Sequence, residues 1–424
     1  MKAVAPSKGT ADMILSYPDK SDEHDILNFS PARVSTCWNS DDTSSSNRLY
    51  FGDNLPILAL LKADPSVQGR VKLVYIDPPF STKGVFQSRS QVDAYHDLLT
   101  GADYIEFMRQ RLILLREVLA IDGSIYLHLD ENMVFHLKVI MDEVFGRQNY
   151  RNLITRKKCN PKNYTRRTYG NVSDYILFYT KSDNYVWNRP VDHWTNERAL
   201  KEYTYTEANT GRLYKKVPIH APGTRNGETG KPWRGMNPPP GKHWQFLPST
   251  LDEMDKRGEI YWSPTGNPRR KVYLDDSLGI PVQDIWLEFR DAHNQMIKVT
   301  GYPTEKNADL IKRIISASSN EGDIVLDCFS GSGTTLAAAT QLHRAWVGID
   351  DSVEAVATTL RRFSQGLDRM GDFVNKKSES DRQSTFGLMS ELSIRDFTLF
   401  SLDSRRAELN GIVEQWRANI DRQA

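Results

Sequence analysis

The chain has 424 residues, and its 55 lysines and arginines nearly balance its 54 aspartates and glutamates, giving a formal net charge of +1. This length predicts one large domain with insertions, or two domains. The balanced charge excludes any inference about partners from net charge, so only local clusters are informative. The three cysteines lie far apart without a CxxC neighbour, which indicates neither a disulfide framework nor a metal site.

The chain has no apolar run of membrane-spanning length, and its N-terminus lacks the apolar core of a signal peptide. We therefore expect a soluble, cytoplasmic protein without a membrane partner. Residues 1–47 are polar, as in "NSDDTSSSN", and predict a loose or peripheral arm.

Residues 48–150 alternate between strand and helix patterns. "LYFGDNLPILALLKA" predicts a short strand, a turn and a helix, and "VKLVYID" is a continuous apolar strand of the kind that parallel sheets bury. "YIEFMRQRLILLREVLA" predicts an amphipathic helix, "GSIYLHLD" a strand and "MVFHLKVIMDEVFG" another helix. This alternation predicts an α/β fold with a parallel sheet covered on both faces.

Residues 151–300 lose the helical periodicity and become rich in Pro, Gly, Trp and Tyr, which predicts an irregular insert. The α/β pattern returns over 301–370, with "ADLIKRIISASS", "DIVLDCF", "GTTLAAATQL" and "AWVGID" as helix, strand, helix and strand. Residues 371–424 begin with a polar linker and end in a predicted helix, "SRRAELNGIVEQWRANI". One sheet is therefore interrupted by an insert of about 150 residues.

The run "VLDCFSGSGTTLAAA" places a glycine turn between a strand and a helix. Gly331 and Gly333 let a ligand approach the backbone closely, and the helix start offers free N–H groups to an anion. Thr334 follows Gly333 where a Walker loop needs lysine, and Leu336 stands where the dinucleotide fingerprint has its third glycine. S-adenosylmethionine fits better, although a purely structural turn remains an alternative.

In this interpretation the acids at the strand ends bind the cofactor. Asp327 faces the ammonium of the methionine moiety, and the helix start faces its carboxylate. The next strand ends in Asp350, whose carboxylate is placed to accept hydrogen bonds from both ribose hydroxyls.

The stretch "KLVYIDPPFSTKGVF" ends a buried strand in an acid, two prolines and an aromatic ring. An exocyclic base amine is a poor nucleophile because its lone pair is delocalised, and two acceptors would draw that lone pair out of conjugation. Asp77 supplies one acceptor, and a backbone stiffened by Pro78 and Pro79 supplies the other as a carbonyl. Phe80 offers a face on which a base stacks. The alternative is an ordinary strand-end turn.

These two runs, in this order, resemble the β-class exocyclic-amino DNA methyltransferases. "FGDN" at 51–54 is similar to the family's upstream acidic motif, which implies Asp53 near the adenine of the cofactor. "GYPTEKNADLIKRII" is similar to the segment before the glycine motif, which implies Thr304 and Lys306 near the methionine end. The family usually has proline where Asn307 stands, and we interpret this departure as a local change in helix entry.

The resemblance covers about residues 48–365 and implies a circularly permuted, Rossmann-like sheet of seven strands with one antiparallel strand. The insert becomes the target-recognition region, and Asp77, Pro78, Pro79 and Phe80 become the catalytic motif. The implied cofactor residues from the glycine run are Asp327, Phe329, Ser330, Gly331, Ser332, Gly333 and Thr334, with Asp350 beyond them.

Aspartate at position 77 resembles adenine-N6 enzymes, whereas cytosine-N4 enzymes of this class more often carry serine. The predicted function is therefore methyl transfer to adenine N6 of a flipped-out base in double-stranded DNA, with cytosine N4 as the alternative target. A DNA-recognition subunit without catalysis is a third hypothesis, which the intact motifs oppose. Cytosine-C5 chemistry is excluded because it needs a thiol presented after a proline, and no cysteine here follows one.

The stretch "RKKCNPKNYTRR" holds six basic residues and no acid, which predicts phosphate contacts. The residues concerned are Arg156, Lys157, Lys158, Lys162, Arg166 and Arg167. Further aromatic and basic residues, including Trp233, Trp244 and Trp262, fit base readout and a small satellite core equally well. A restriction or defence-system partner and a homodimer are both compatible with the sequence, and DNA as substrate implies association with the nucleoid.

Overall fold

The computed structural model describes residues 14–39, 46–79, 85–87, 93–96, 101–160, 167–290, 306–365 and 396–421. Two compact units are present: Met1–Asn188 with Gln283–Ala424, and Arg189–Val282. The second unit is shorter than the insert expected at 151–300, because two stretches before residue 188 form strands of the first unit's sheet. The predicted target-recognition role of the insert stays a prediction.

A ten-stranded sheet forms the centre of the first unit. Its strands are β1 (Val34–Asn39), β2 (Arg48–Phe51), β3 (Val71–Ile76), β6 (Leu119–Leu129), β7 (Tyr150–Lys157), β8 (Ser173–Thr180), β17 (Ile285–Trp286), β18 (Ile324–Asp327), β19 (Ala345–Asp350) and β20 (Thr398–Leu402). A separate backbone hairpin pairs β4 (Val85–Gln87) with β5 (Asp93–His96). The order across the large sheet is β1-β20-β2-β19-β18-β3-β6-β8-β7-β17.

The expected seven-stranded sheet is confirmed as the stretch β2-β19-β18-β3-β6-β8-β7. Its neighbours pair in parallel from β2 to β6, and β8 is antiparallel to both β6 and β7. The strand nearest the C-terminus of this set, β19, lies beside the first, β2. The sheet is therefore assembled in a permuted order, as the arrangement of motifs predicted.

Helices cover both faces of this sheet. The helices of the first unit are α1 (Glu23–Leu27), α2 (Asn54–Ala63), α3 (Ala102–Val118), α4 (Val134–Phe145), α7 (Ala308–Ser318), α8 (Thr334–Gln341), α9 (Val353–Gln365) and α10 (Arg406–Asp421). Alternate residues of β6, such as Ile125 and Leu127, join the buried core beneath α2, α3 and α4. Tyr126, between them, points to the opposite face and bonds to Ser318 of α7 at 2.8 Å.

The polar arm and the C-terminal tail are more structured than their composition predicted. Part of the arm forms β1, which pairs antiparallel with β20, and β20 pairs in parallel with β2. The predicted tail helix is confirmed as α10, and Trp416 from it packs on Phe397 with ring centroids 6.0 Å apart. Local sequence could not predict β1 and β20, because each strand is completed by a partner more than 350 residues away.

The second unit contains a four-stranded antiparallel sheet in the order β10-β11-β15-β14. Its elements are β9 (Val191–Asp192), α5 (Asn196–Glu202), β10 (Tyr205–Thr206), β11 (Leu213–Pro218), β12 (His220–Pro222), β13 (Lys242–Trp244), α6 (Pro248–Lys256), β14 (Ile260–Trp262), β15 (Pro268–Tyr273) and β16 (Ile280–Pro281). No helix within the described parts of either unit is long and apolar enough to cross a membrane.

Candidate active site

Four parallel strands end at one edge of the sheet, and the candidate site lies there. β18 pairs with β3 on one side and β19 on the other, and β19 pairs with β2. Asp77, Asp327, Asp350 and Asp53 stand at or just after the ends of β3, β18, β19 and β2. Chain connectivity reverses direction between β18 and β3, which is where open α/β sheets bind ligands.

The glycine turn after β18 has the conformation that its sequence predicted. Gly331 and Gly333 have φ values of +50° and +74°, in the left-handed region that favours glycine. A Cβ on Gly333 would lie 2.7 Å from Oγ1 of Thr359, so a side chain there would displace α9. The backbone N–H of Gly331 donates to Oδ2 of Asp350 at 2.7 Å, which joins the turn to the end of β19.

Two of the predicted cofactor acids are held by backbone N–H groups. Asp327 is buried and accepts from the N–H of Phe329 at 3.0 Å, and burial raises the pKa of its carboxyl to about 7. Asp350 accepts from Gly331 and from Ser352 at 2.9 Å, and withdrawal from water raises its pKa to about 6. A cation beside Asp327 and hydroxyls beside Asp350 would favour the charged forms that burial disfavours.

The remaining predicted residues of the turn surround the start of α8. Ser330, Ser332 and Thr334 are buried, and Phe329 is partly buried. Oγ of Ser332 lies 3.3 Å from Oγ1 of Thr334, whereas Oγ of Ser330 is buried without a hydrogen-bond partner among the described residues. A buried hydroxyl without a partner is costly, and a polar ligand in the turn would satisfy it.

Asp53 forms a charged corner at the end of β2. Its carboxylate caps α2 by accepting from the N–H of Leu55 at 3.0 Å, and it accepts from Nη2 of Arg111 at 2.9 Å. Arg111 is buried, and its guanidinium lies 3.4 Å from the ring centroid of Phe107. Sequence analysis missed Arg111, although a charge within "QRLILL" on an otherwise buried helix face is a detectable signal.

The chain after β3 brings Asp77 into contact with Lys306. Nζ of Lys306 lies 2.5 Å from Oδ2 of Asp77, and both side chains are largely buried. Oδ1 of Asp77 is buried and has no hydrogen-bond partner within the described part of the chain. One oxygen of the carboxylate is thus available as an acceptor, while Lys306 neutralises the charge. Pro78 and Pro79 follow directly, and Phe80 and Thr304 lie outside the described residues.

The departure at Asn307 is explained by the start of α7. Oδ1 of Asn307 accepts from the N–H groups of Asp309 and Leu310 at 2.9 and 3.4 Å, which makes it the helix cap. The chain therefore enters α7 through an asparagine cap, and the comparison with the family's usual proline stays a prediction. The helix places Lys306 directly before its cap, where the ammonium contacts Asp77.

Arg156 is not a phosphate ligand, which corrects the prediction for this residue. Its guanidinium is fully buried, with Nη1 2.9 Å from Oδ2 of Asp174 and Nε donating to the carbonyl of Phe289 at 2.7 Å. The same carboxylate oxygen lies 3.0 Å from Nε2 of His128, whose Nδ1 is 2.9 Å from the hydroxyl of Tyr75. Burial would raise the pKa of Asp174, but His128 and Arg156 outweigh it and hold that pKa well below its usual range.

The other predicted DNA ligands occupy several environments. Lys157 ends β7, and Lys158 follows it; both are partly exposed, whereas Arg167 is exposed. Lys162 and Arg166 lie outside the described residues. Exposure alone does not identify a DNA-binding surface. The role of these basic residues in DNA binding stays a prediction.

Three tryptophans of the second unit form a small core. Trp233 and Trp244 are buried with Leu251 and Ile260, and Trp262 packs on them. The rings of Trp233 and Trp262 are stacked with centroids 5.4 Å apart. For these three tryptophans the structure favours the satellite core, and a role of the neighbouring basic residues in base readout stays a prediction. No group of three or more acidic, histidine or cysteine side chains in the described regions is arranged to hold a metal ion.

The sheet order and the four strand-end acids around a glycine turn define the class: a Rossmann-like methyltransferase whose cofactor is S-adenosylmethionine. The residues fit this cofactor, because the carboxylates of Asp327 and Asp350 would offer acceptors to an ammonium and to ribose hydroxyls, and α8 begins beside them. A family model described as DNA methylase matches residues 71–361. The chain belongs to this DNA methylase family, and it is a DNA methyltransferase of the N6/N4 type.

Curated relatives agree with this assignment. The type II methyltransferase M.EcaI of Enterobacter cloacae is 50% identical over 369 residues, which cover 86% of this chain and 80% of that protein. The HindVI Mod subunit of Haemophilus influenzae, a probable type III restriction-modification enzyme, is 24% identical over 390 residues, covering 75% of this chain. The match spans only 50% of that subunit.

Solved structures of DNA methyltransferases are similar at low identity. The crystal structure of the M1.HpyAVI–SAM complex gives a TM-score of 0.42 at 16% identity, covering 74% of this chain and 98% of that chain. The cytosine-N4-specific PvuII DNA methyltransferase gives a TM-score of 0.41 at 16% identity, covering 86% and 98%.

Proposed function

We propose that this protein methylates adenine N6 at a specific site in double-stranded DNA. The observation that carries the proposal is Asp77, whose carboxylate ends the strand beside the glycine turn and keeps one buried oxygen without a partner among the described residues. An exocyclic amine that donates to this oxygen and to the carbonyl of the following proline loses conjugation with its ring. S-adenosylmethionine supplies an electrophilic methyl group for the nitrogen lone pair that is exposed in this way.

The protein's contribution is positioning and electrostatics, without a covalent intermediate on the enzyme. Lys306 holds the second oxygen of Asp77, which fixes the carboxylate in one orientation. Asp327 and Asp350 are assigned to the ammonium and the ribose, and the turn from Phe329 to Thr334 is assigned to the methionine end. Asp53 is assigned to the adenine end. The base reaches Asp77 by rotating out of the duplex, which costs a few kcal/mol and is offset by stacking in the pocket.

Cytosine N4 is the second candidate target, because it too is an exocyclic amine and needs the same pair of acceptors. The aspartate at position 77 supports adenine, since the resemblance associates serine at this position with cytosine-N4 enzymes. The family description and the relatives support both targets equally.

Mass spectrometry of nucleosides from DNA incubated with purified protein and labelled S-adenosylmethionine tests the proposal. We expect labelled N6-methyl-2′-deoxyadenosine and no labelled N4-methyl-2′-deoxycytidine. The reverse result would replace adenine with cytosine. An Asp77→Ala variant that binds DNA but transfers no label would exclude the alternative of a silent recognition subunit, provided that the wild-type protein transfers it.

We also propose a role in restriction-modification, because the named relatives are a type II methyltransferase and a type III Mod subunit. DNA contacts are assigned to Lys157, Lys158, Lys162, Arg166 and Arg167 and to the second unit. Protection of methylated DNA from a nuclease encoded beside this chain tests the first part. Light scattering on the purified protein tests whether it forms the homodimer that the resemblance suggests.

A further inference from the structure

The segment from β20 to α10 lies outside the residues matched by the family model, yet it reaches the cofactor end of the sheet. β20 pairs with β2 in parallel, so that Ser401 lies opposite Phe51 at the start of the Asp53 corner. Leu402 fills the space beside Gly52, which has φ +138° and no room for a Cβ. The segment is therefore packed directly against the turn that carries Asp53.

Arg405 brings a positive charge from this segment to that corner. Its guanidinium lies 4.3 Å from the ring centroid of the buried Phe51. Two parallel bonds of 2.8 and 2.7 Å join it to the carboxylate of Glu408. Nη1 also donates to the main-chain carbonyl of Asp351 at 3.1 Å and contacts the Asp351 carboxylate. The planar guanidinium of Arg405 is thus held by Phe51 and Glu408, and it can fix the position of the Asp351 backbone.

What Arg405 binds is the turn that presents Asp350. Asp351 follows Asp350 at the end of β19, and Ser352 donates its N–H back to the Asp350 carboxylate. A bond to the Asp351 carbonyl therefore restrains the peptide next to the acid assigned to the ribose. The same acid accepts from Gly331, so the position of this turn also affects the glycine turn.

The charges at this corner are compatible with such a cation. Asp53, Asp350 and Asp351 bring three carboxylates together, and Arg111 offsets the first of them. Burial raises the pKa of Asp351, and the charge of Asp53 raises it further, while Arg405 lowers it. The Asp351 side chain is 64% exposed, so solvent screens the ion pair and its main effect is on geometry.

We propose that Arg405 is a positioning residue for cofactor binding, which holds the turn after β19 so that Asp350 faces the ribose of S-adenosylmethionine. The inference rests on the proposed placement of the ribose at Asp350. It assigns part of the cofactor site to a segment beyond the family match, through an arginine that does not itself contact the cofactor.

Calorimetric titration of the full-length protein with S-adenosylmethionine tests the proposal. We expect Arg405→Ala to weaken binding about five- to tenfold, and Arg405→Lys to lose less because the charge is kept. Adenosine alone should lose affinity by the same factor, because the effect acts on the nucleoside end. Arg417→Ala is the matched control: Arg417 lies on α10 and bonds to the carbonyl of Cys37 at 3.2 Å, so its loss should leave affinity unchanged.

Two further variants separate the possible failures. Asp350→Asn tests the ribose placement: unchanged affinity in this variant would overturn that placement and the inference with it. If Asp350→Asn weakens binding and Arg405→Ala stays within twofold of wild type, only the role of Arg405 is overturned. Should Arg405→Ala fail to fold, Arg405→Met keeps an apolar side chain over Phe51 but cannot donate to Asp351, and wild-type affinity in that variant would contradict the proposal.

Discussion

Replacing Arg156 with leucine should destabilise the first unit strongly while leaving the electrostatics of DNA binding unchanged. The side chain is fully buried, and its loss leaves Asp174 as a buried carboxylate beside His128. A basic residue within a basic run is normally assigned to phosphate contacts, so this substitution distinguishes the interior role from the surface role.

The size of the effect follows from burial. Removing one partner of a buried ion pair costs about 3–5 kcal/mol, because the other charge stays in the interior. The carbonyl of Phe289 also loses its donor, which adds roughly 1 kcal/mol. Since one kcal/mol lowers the melting temperature of a domain of this size by about 2 °C, we expect a fall of roughly 8 °C or more.

Thermal unfolding followed by circular dichroism measures the loss, and Arg167→Ala is the matched control because Arg167 is exposed. DNA affinity is then measured against salt concentration well below the melting temperature. Each lost phosphate contact reduces the slope of log affinity against log salt by about 0.9, and we expect Arg156→Leu to leave the slope unchanged. A stable variant with a reduced slope would refute the interior role of Arg156.

Three other outcomes are expected. Asp77→Asn should lower kcat by at least about 100-fold in a labelled-methyl assay while retaining DNA affinity, and near-normal turnover would remove Asp77 from the chemistry. Gly333→Ala should destabilise the protein by more than Gly322→Ala, for which backbone strain alone costs roughly 1–2 kcal/mol, and it should also weaken cofactor binding. The reason is that a Cβ at Gly333 would meet Thr359, whereas a Cβ at Gly322 would meet nothing within 4 Å. Cofactor affinity, measured by calorimetry between about pH 8 and about pH 5, should fall as the pH drops through the pKa of Asp327, about 7, and that of Asp350, about 6, because the carboxylates are the forms that accept from the ammonium and the hydroxyls. Asp350→Asn should remove the lower of these two steps, and an unchanged profile in this variant would assign that step to another group.

Continuous apolar strands ending in acids were sufficient to predict the centre of the fold. β3, β18 and β19 lie within the segments expected for them, and the glycine turn has the left-handed conformations that its sequence requires. These features were predictable because a strand buried on both faces and a glycine with positive φ are both encoded within a few neighbouring residues.

Features that depend on distant partners were not predictable. Arg156 is basic in sequence but interior in the structure because Asp174, 18 residues further on, lies beside it on the neighbouring strand. β20 completes the sheet only through β1 and β2, and neither can be identified from the tail alone. The contact between Lys306 and Asp77 joins residues that are more than 200 positions apart, and the resemblance had placed Lys306 only at the methionine end.

A crystal structure of the protein with S-adenosylhomocysteine and a DNA duplex containing its target site tests the shared pocket most directly. We expect the ribose hydroxyls at Asp350, the ammonium at Asp327, and the sulfur pointing toward a base amine that donates to Asp77. S-adenosylhomocysteine bound away from the glycine turn would contradict the account. So would a target base that lies away from Asp77.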